Sequence, residues 1–120
     1  MSKNNDFIMW FPPPLANAPI TMYYIPNCKA CEDAAAFFRT YRNPKTNQPI
    51  LATIYNAGKI GQLLEEANPE SSLSGKALFM KNIHKYTKSK HMTFPMIFKG
   101  DGKKIEFIGG WDTFKQLHRI

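Results

Sequence analysis

Cys28 and Cys31 are the only thiols of the chain, and they stand three residues apart behind a short apolar run. The stretch reads ITMYYI, then Pro26 and Asn27, then Cys28-Lys29-Ala30-Cys31 at the head of a helical pattern. A strand that delivers two thiols to a helix start is the layout expected of a dithiol redox centre. A free thiol titrates near ~8.5, so only about 3% is thiolate at pH 7, and lowering that value to ~6 raises the fraction to about 90%. Unpaired N–H groups and the dipole at a helix start favour the anion, and Lys29 adds a positive charge beside it. Cys28 is therefore the expected attacking thiol. Cys31, one turn on and shielded beneath it, is the expected resolving thiol, closing a Cys28–Cys31 disulfide after attack on a substrate.

Two plainer readings compete. Half of a zinc site would need four ligands, and the chain offers no further cysteine and only His84, His91 and His118, none paired at finger spacing. No metal is expected. Two unreactive core cysteines would sit more naturally in mid-helix than after a strand and a turn.

Two further groups carry potential chemistry. In Thr93-Phe94-Pro95, a proline opens what is otherwise an inner strand, where it lacks the ladder donor. Either the bond before Pro95 is cis or a trans proline starts an edge strand. The cis form would leave the Phe94 backbone free to pair with an extended thiol peptide. In Gly109-Gly110-Trp111-Asp112, paired glycines allow close approach to the backbone. Asp112 would either cap the next helix, the commoner role, or hold an ammonium group. Trp111 would pack in the core or wall a groove.

The elements that must position these groups follow from pattern. Residues 20–25 form a near-continuous apolar strand, as expected of an inner strand covered on both faces. A helix over 29–41 turns Ala34, Phe38 and Tyr41 inward. Residues 50–55 are a second strand, making a βαβ unit. A short helix over 58–67 carries Ile60, Leu63, Leu64 and Ala67 on one side, and a longer one over 76–88 carries Phe79, Ile83 and Tyr86. A strand over 94–99, a Gly100-Asp101-Gly102 turn and a strand over 104–108 form a hairpin. The last helix starts at Trp111 and carries Phe114 and Leu117 inward. A four-stranded mixed sheet, βαβ then ββα, with helices on both faces buries these patterns. That is a thioredoxin-like α/β fold, spanning 20–120, with residues 1–19 as an N-terminal extension. Trp10 and Phe11 in that extension are expected to pack on the domain or on a protein partner.

The totals agree. At 120 residues the chain suits one domain and one core. A net charge of +7 attracts anionic small molecules or acidic surfaces, but no run of like charges marks a specific nucleic-acid arm. No segment reaches the ~20 apolar residues of a membrane helix. No secretory leader is read in the short apolar run at 7–11. Two cysteines in this setting suggest a reducing, cytoplasmic location.

Taken in order, the CxxC after the first strand, Thr93-Phe94-Pro95 before the third and Gly109-Gly110-x-Asp112 after the fourth resemble the glutaredoxin family. The resemblance covers residues 20–42 and 92–120, with the middle matching in element order only. It implies a glutathione-dependent thiol–disulfide oxidoreductase that reduces protein disulfides or glutathione mixed disulfides, serving electron transport and cell redox homeostasis. Glutathione would be a co-substrate, with no bound cofactor. It implies that Pro95 is a cis-proline facing the thiols and that Thr93 and Phe94 lie along the tripeptide. Gly109 would line the glutathione, and Gly110, Trp111 and Asp112 would receive its γ-glutamyl end. The chain departs from the family in three places. Lys29 and Ala30 replace the usual ProTyr or GlyPhe. Ile25 stands where many members have a glutathione-contacting lysine, leaving Lys29 or a lysine at 88–90 as a substitute. The segment 55–92 is longer by about 15–20 residues, a loop-scale insertion. Three other readings remain: a thioredoxin-like protein-thiol relay that does not use glutathione, a non-catalytic module of the same fold, and an iron–sulfur carrier. Disulfide closure by the second cysteine speaks against the last.

Overall fold

The computed structural model describes residues 11–87 and 93–118. Along the chain run β1 (Ile20–Tyr24), α1 (Lys29–Thr40), β2 (Ala52–Asn56), α2 (Ala57–Ala67), α3 (Gly75–Thr87), β3 (Met96–Gly100), β4 (Ile105–Gly109) and α4 (Trp111–His118). The strands form one open mixed sheet in the order β2-β1-β3-β4. β2 is parallel to β1, while β3 is antiparallel to both β1 and β4.

Alternation along the two central strands sorts the core into two layers. Ile20 and Met22 of β1 and Ile97 of β3 face one side, where they meet Ala34, Ala35 and Phe38 of α1 and Trp111 and Phe114 of α4. Tyr23, Met96 and Phe98 face the other side, beneath Ile60 and Leu64 of α2 and Leu78, Phe79 and Ile83 of α3. Coverage of both faces explains why β1 reads as an unbroken apolar run.

The inward stripe of α2 is Ala57, Ile60, Gly61 and Leu64, at i, i+3, i+4, i+7. Leu63, expected inside, is exposed: α3 crosses on the Gly61 side, and two residues along the helix turn Leu63 about 200° away from it. Gly61 and Gly75 let the two helices touch: a Cβ on either would collide with the backbone carbonyl of the other. Glu65 of α2 fixes this crossing by accepting from the Gly75 N–H at 2.9 Å. Leu117, also expected inside, is exposed. In the short α4 it is His118 that packs on Phe114, with ring centroids 4.3 Å apart.

Residues 11–19 belong to the packed body. Phe11 lies against Tyr23 and Phe79, and the buried Tyr23 hydroxyl donates to the Pro12 carbonyl. Leu15 N–H donates to Thr21 Oγ1 at 3.2 Å, and Gly102 N–H donates to the Ala16 carbonyl at 2.7 Å. Trp10, the other residue expected to pack here, lies outside the described residues, as do the lysines at 88–90.

Candidate functional site

The β1–α1 turn bends through Asn27, whose φ of 59° is in the left-handed region that asparagine tolerates. Cys28 follows as the N-cap of α1. Its backbone is extended (φ −122°, ψ 109°), and its Sγ accepts from the Cys31 N–H at 3.2 Å. A sulfur thus takes the place of the usual capping oxygen and satisfies an otherwise unpaired first-turn amide. In the reduced protein, charge on that sulfur would strengthen this bond. Cys31 lies a turn on with 2% exposure, whereas Cys28 is half-buried. The two sulfurs are at disulfide distance, and their Cα atoms are 5.2 Å apart.

Cys28 Sγ is 3.8 Å from the Phe94 carbonyl oxygen, 66 residues away in sequence. The Phe94–Pro95 peptide is cis, and Pro95 is fully buried. β3 begins only after it, at Met96, because proline has no N–H for the ladder. On the far side of this bend, Gly110 approaches the Pro95 carbonyl, which would lie 3.7 Å from a Cβ there. A register shift makes that approach: Ile97 pairs Gly109 while Phe98 pairs Phe107, so Ile108 is the extra residue of a bulge. Gly109 then takes a φ of +134° with Thr113 packed where a Cβ would be, so only glycine fits.

The three sequence groups are therefore neighbours, Cys28 against Phe94 and Pro95 against Gly110. Their flanking residues divide. Thr93 is at the surface beside Phe94. Trp111 is a core residue with 8% exposure, packed on Phe37, Phe38 and Phe114. Lys115 Nζ sits 5.5 Å from the centre of the Trp111 ring. Asp112 lies in the first turn of α4, favourable for its charge, and its exposed carboxylate is 3.6 Å from Lys115. Lys29 is exposed and pairs with Asp33 at 2.9 Å, four residues along α1; this bond holds its ammonium pKa above the ordinary lysine value. Its charge is thus shared with a carboxylate rather than reserved for the sulfur. Among the described residues no group of His, Cys, Asp or Glu could hold a metal ion, and no helix is long and apolar enough to cross a membrane.

Comparison with family models, curated proteins and solved structures gave no match. The functional reading therefore rests on geometry.

One feature beside the thiols escaped sequence reasoning. Phe94, Ile25 and Phe79 border a cavity of about 580 Å³ that runs between the bend and helices α2 and α3. The signal for it was the glycine in each of two amphipathic helices, Gly61 and Gly75, which gains meaning only once the helices are known to cross.

Proposed function

We propose that the chain is a dithiol thiol–disulfide oxidoreductase of the glutaredoxin kind, built on a thioredoxin-like fold and acting in a reducing compartment. The observation that carries this reading is Cys28 as helix N-cap, its Sγ accepting from Cys31 N–H and lying 3.8 Å from the Phe94 carbonyl. The sheet order β2-β1-β3-β4 with helices on both faces supports the fold assignment.

In the proposed cycle the Cys28 thiolate attacks one sulfur of a substrate disulfide. A Cys28–substrate disulfide forms, the substrate S–S bond breaks, and the other substrate sulfur leaves as a thiolate that takes a proton from water. Cys31, deprotonated, then attacks Cys28 Sγ, closing the Cys28–Cys31 disulfide and releasing the second substrate thiol. Two glutathione molecules restore the dithiol and leave as glutathione disulfide. With a glutathione mixed disulfide as substrate, Cys28 instead carries the glutathionyl group and a second glutathione removes it. Thr93, Phe94 and Pro95 with Gly109, Gly110 and Asp112 would line the tripeptide, Phe94 through backbone pairing.

The Lys29–Asp33 pair and the apolar Ile25 favour one second reading, a protein-thiol relay recycled by a dedicated reductase. Steady-state reduction of a glutathione mixed disulfide with glutathione as sole reductant separates the two. Turnover is expected. Its absence, with protein disulfides still reduced by another dithiol, would replace glutathione by the relay.

A further inference from the structure

The cavity next to Phe94 shares Thr93 and Phe94 with the proposed glutathione contacts and extends beyond them, past the apolar Ile25, to α2 and α3. It is made by the two-helix segment α2–α3 closing on the β1–α1 turn. Its walls are the apolar Ile25, Ala57, Phe79 and Phe94, and the Phe94 and Phe79 rings pack at 5.9 Å. The Gly61–Gly75 contact brings the helices together behind it, at a spacing that side chains there would forbid. A volume of about 580 Å³ falls in the size range of small-ligand sites and holds one aromatic side chain with room to spare. Phe94 is shared: its carbonyl is 3.8 Å from Cys28 Sγ, and its side chain borders the cavity.

An extended peptide advances about 3.3 Å per residue. A peptide whose cysteine is joined to Cys28 and whose backbone pairs with Phe94 brings a side chain within two residues to the cavity mouth. The rim carries one charge of each sign. Glu65 Oε2 is engaged by the Gly75 N–H, whereas Lys76 is exposed and makes no ion pair among the described residues. The whole chain carries +7.

We propose that this cavity selects the protein substrate: an extended segment with a large apolar residue within two positions of its reactive cysteine and an acidic residue facing Lys76. This rests on the proposed thiol–disulfide chemistry and names its substrate class. Burial of an aromatic ring, rather than surface charge alone, makes the selection.

The test uses the full chain with synthetic peptide disulfide dimers, each reduced by two glutathiones to two free peptides and one glutathione disulfide. Phenylalanine or alanine is placed at each of the two positions on either side of the cysteine, with glutamate or lysine beyond. At one position kcat/KM is expected to be about tenfold higher for phenylalanine. Gln62→Trp, an exposed rim substitution, should bring that ratio close to one while leaving reduction of bis(2-hydroxyethyl) disulfide and the thermal midpoint unchanged. Lys76→Glu should reverse the preference for glutamate over lysine. Ratios within twofold of one at all four positions, with the small disulfide still reduced, overturn the proposal and leave the chemistry standing. A preference that survives Gln62→Trp also overturns it. So does a preference that emerges only when residues 1–10 are removed, since that assigns the cavity to the chain's own segment. No reduction of any disulfide, with glutathione or with another dithiol as reductant, sinks both readings together.

Discussion

At the scale of single residues, the proposed division of labour between the thiols follows from where each sulfur sits. Cys28 is reachable, accepts a first-turn amide bond and has the Phe94 carbonyl beside it, whereas Cys31 is buried behind it. Cys28→Ser is therefore expected to abolish turnover on every disulfide. Cys31→Ser should keep part of the glutathione exchange, which needs one sulfur, and lose reduction of protein disulfides, which needs two. Paired assays on the two substrate types check this, and equal loss from both substitutions would point to a purely dithiol relay. The thiols, the bend and the glycine pair were legible in the sequence as special positions because each breaks a local pattern: two cysteines at a helix start, a proline in a strand, two glycines at a strand end. The Lys29–Asp33 pair carries no such signal in the sequence. An i, i+4 lysine–carboxylate pair is common on helix surfaces, and here it qualifies the charge expected beside Cys28.

At the scale of elements, every strand and helix was readable from apolar periodicity to within a few residues, because each buries a face against the sheet. The exceptions were single positions. Leu63 and Leu117 satisfy a helical pattern locally, but the direction of a helix's inward face is set by what crosses it, and periodicity alone does not contain that. The α2–α3 crossing is the clearest case, since two glycines 14 positions apart determine it. Gly61→Ala and Gly75→Ala should each destabilise the fold by about 1–3 kcal/mol, as overpacked sites do, despite the better helix propensity of alanine. The fall in the urea midpoint measures the effect. No loss, or a gain, would mean that the helices do not meet at these residues. The register shift at Ile108 likewise left no mark in the sequence except Gly109, whose positive φ the bulge demands.

At the scale of the whole molecule, residues 11–19 pack onto the body of the fold. Their prolines exclude a helix, and sequence pattern says little about irregular segments, so nothing local revealed that Pro12 meets the centre of the core. The Tyr23 hydroxyl is that anchor. Burial raises its pKa well above the ordinary tyrosine value of 10.0, with Tyr55 and Tyr86 adding to the shift. A group held protonated in the fold contributes fully below its unfolded pKa and loses that contribution as pH rises beyond it. Stability should therefore decline above about pH 10, and Tyr23→Phe should flatten part of that decline. The same substitution should lower stability at neutral pH by about 1–2 kcal/mol, because the Pro12 carbonyl is left without its donor. Urea unfolding at pH 7 and at pH 10.5 reads both effects, and an unchanged neutral-pH midpoint would detach the 11–19 segment from the core.

The claim on which the functional reading depends is that this fold makes Cys28 a reactive thiolate. The direct measurement is the pH dependence of Cys28 alkylation in the fully reduced protein, with Cys31→Ser used to assign the sulfur. The rate should rise through a midpoint clearly below the ~8.5 of a free thiol. A midpoint at or above that value, with slow alkylation at neutral pH, would refute it and leave a protein of this fold without thiol chemistry.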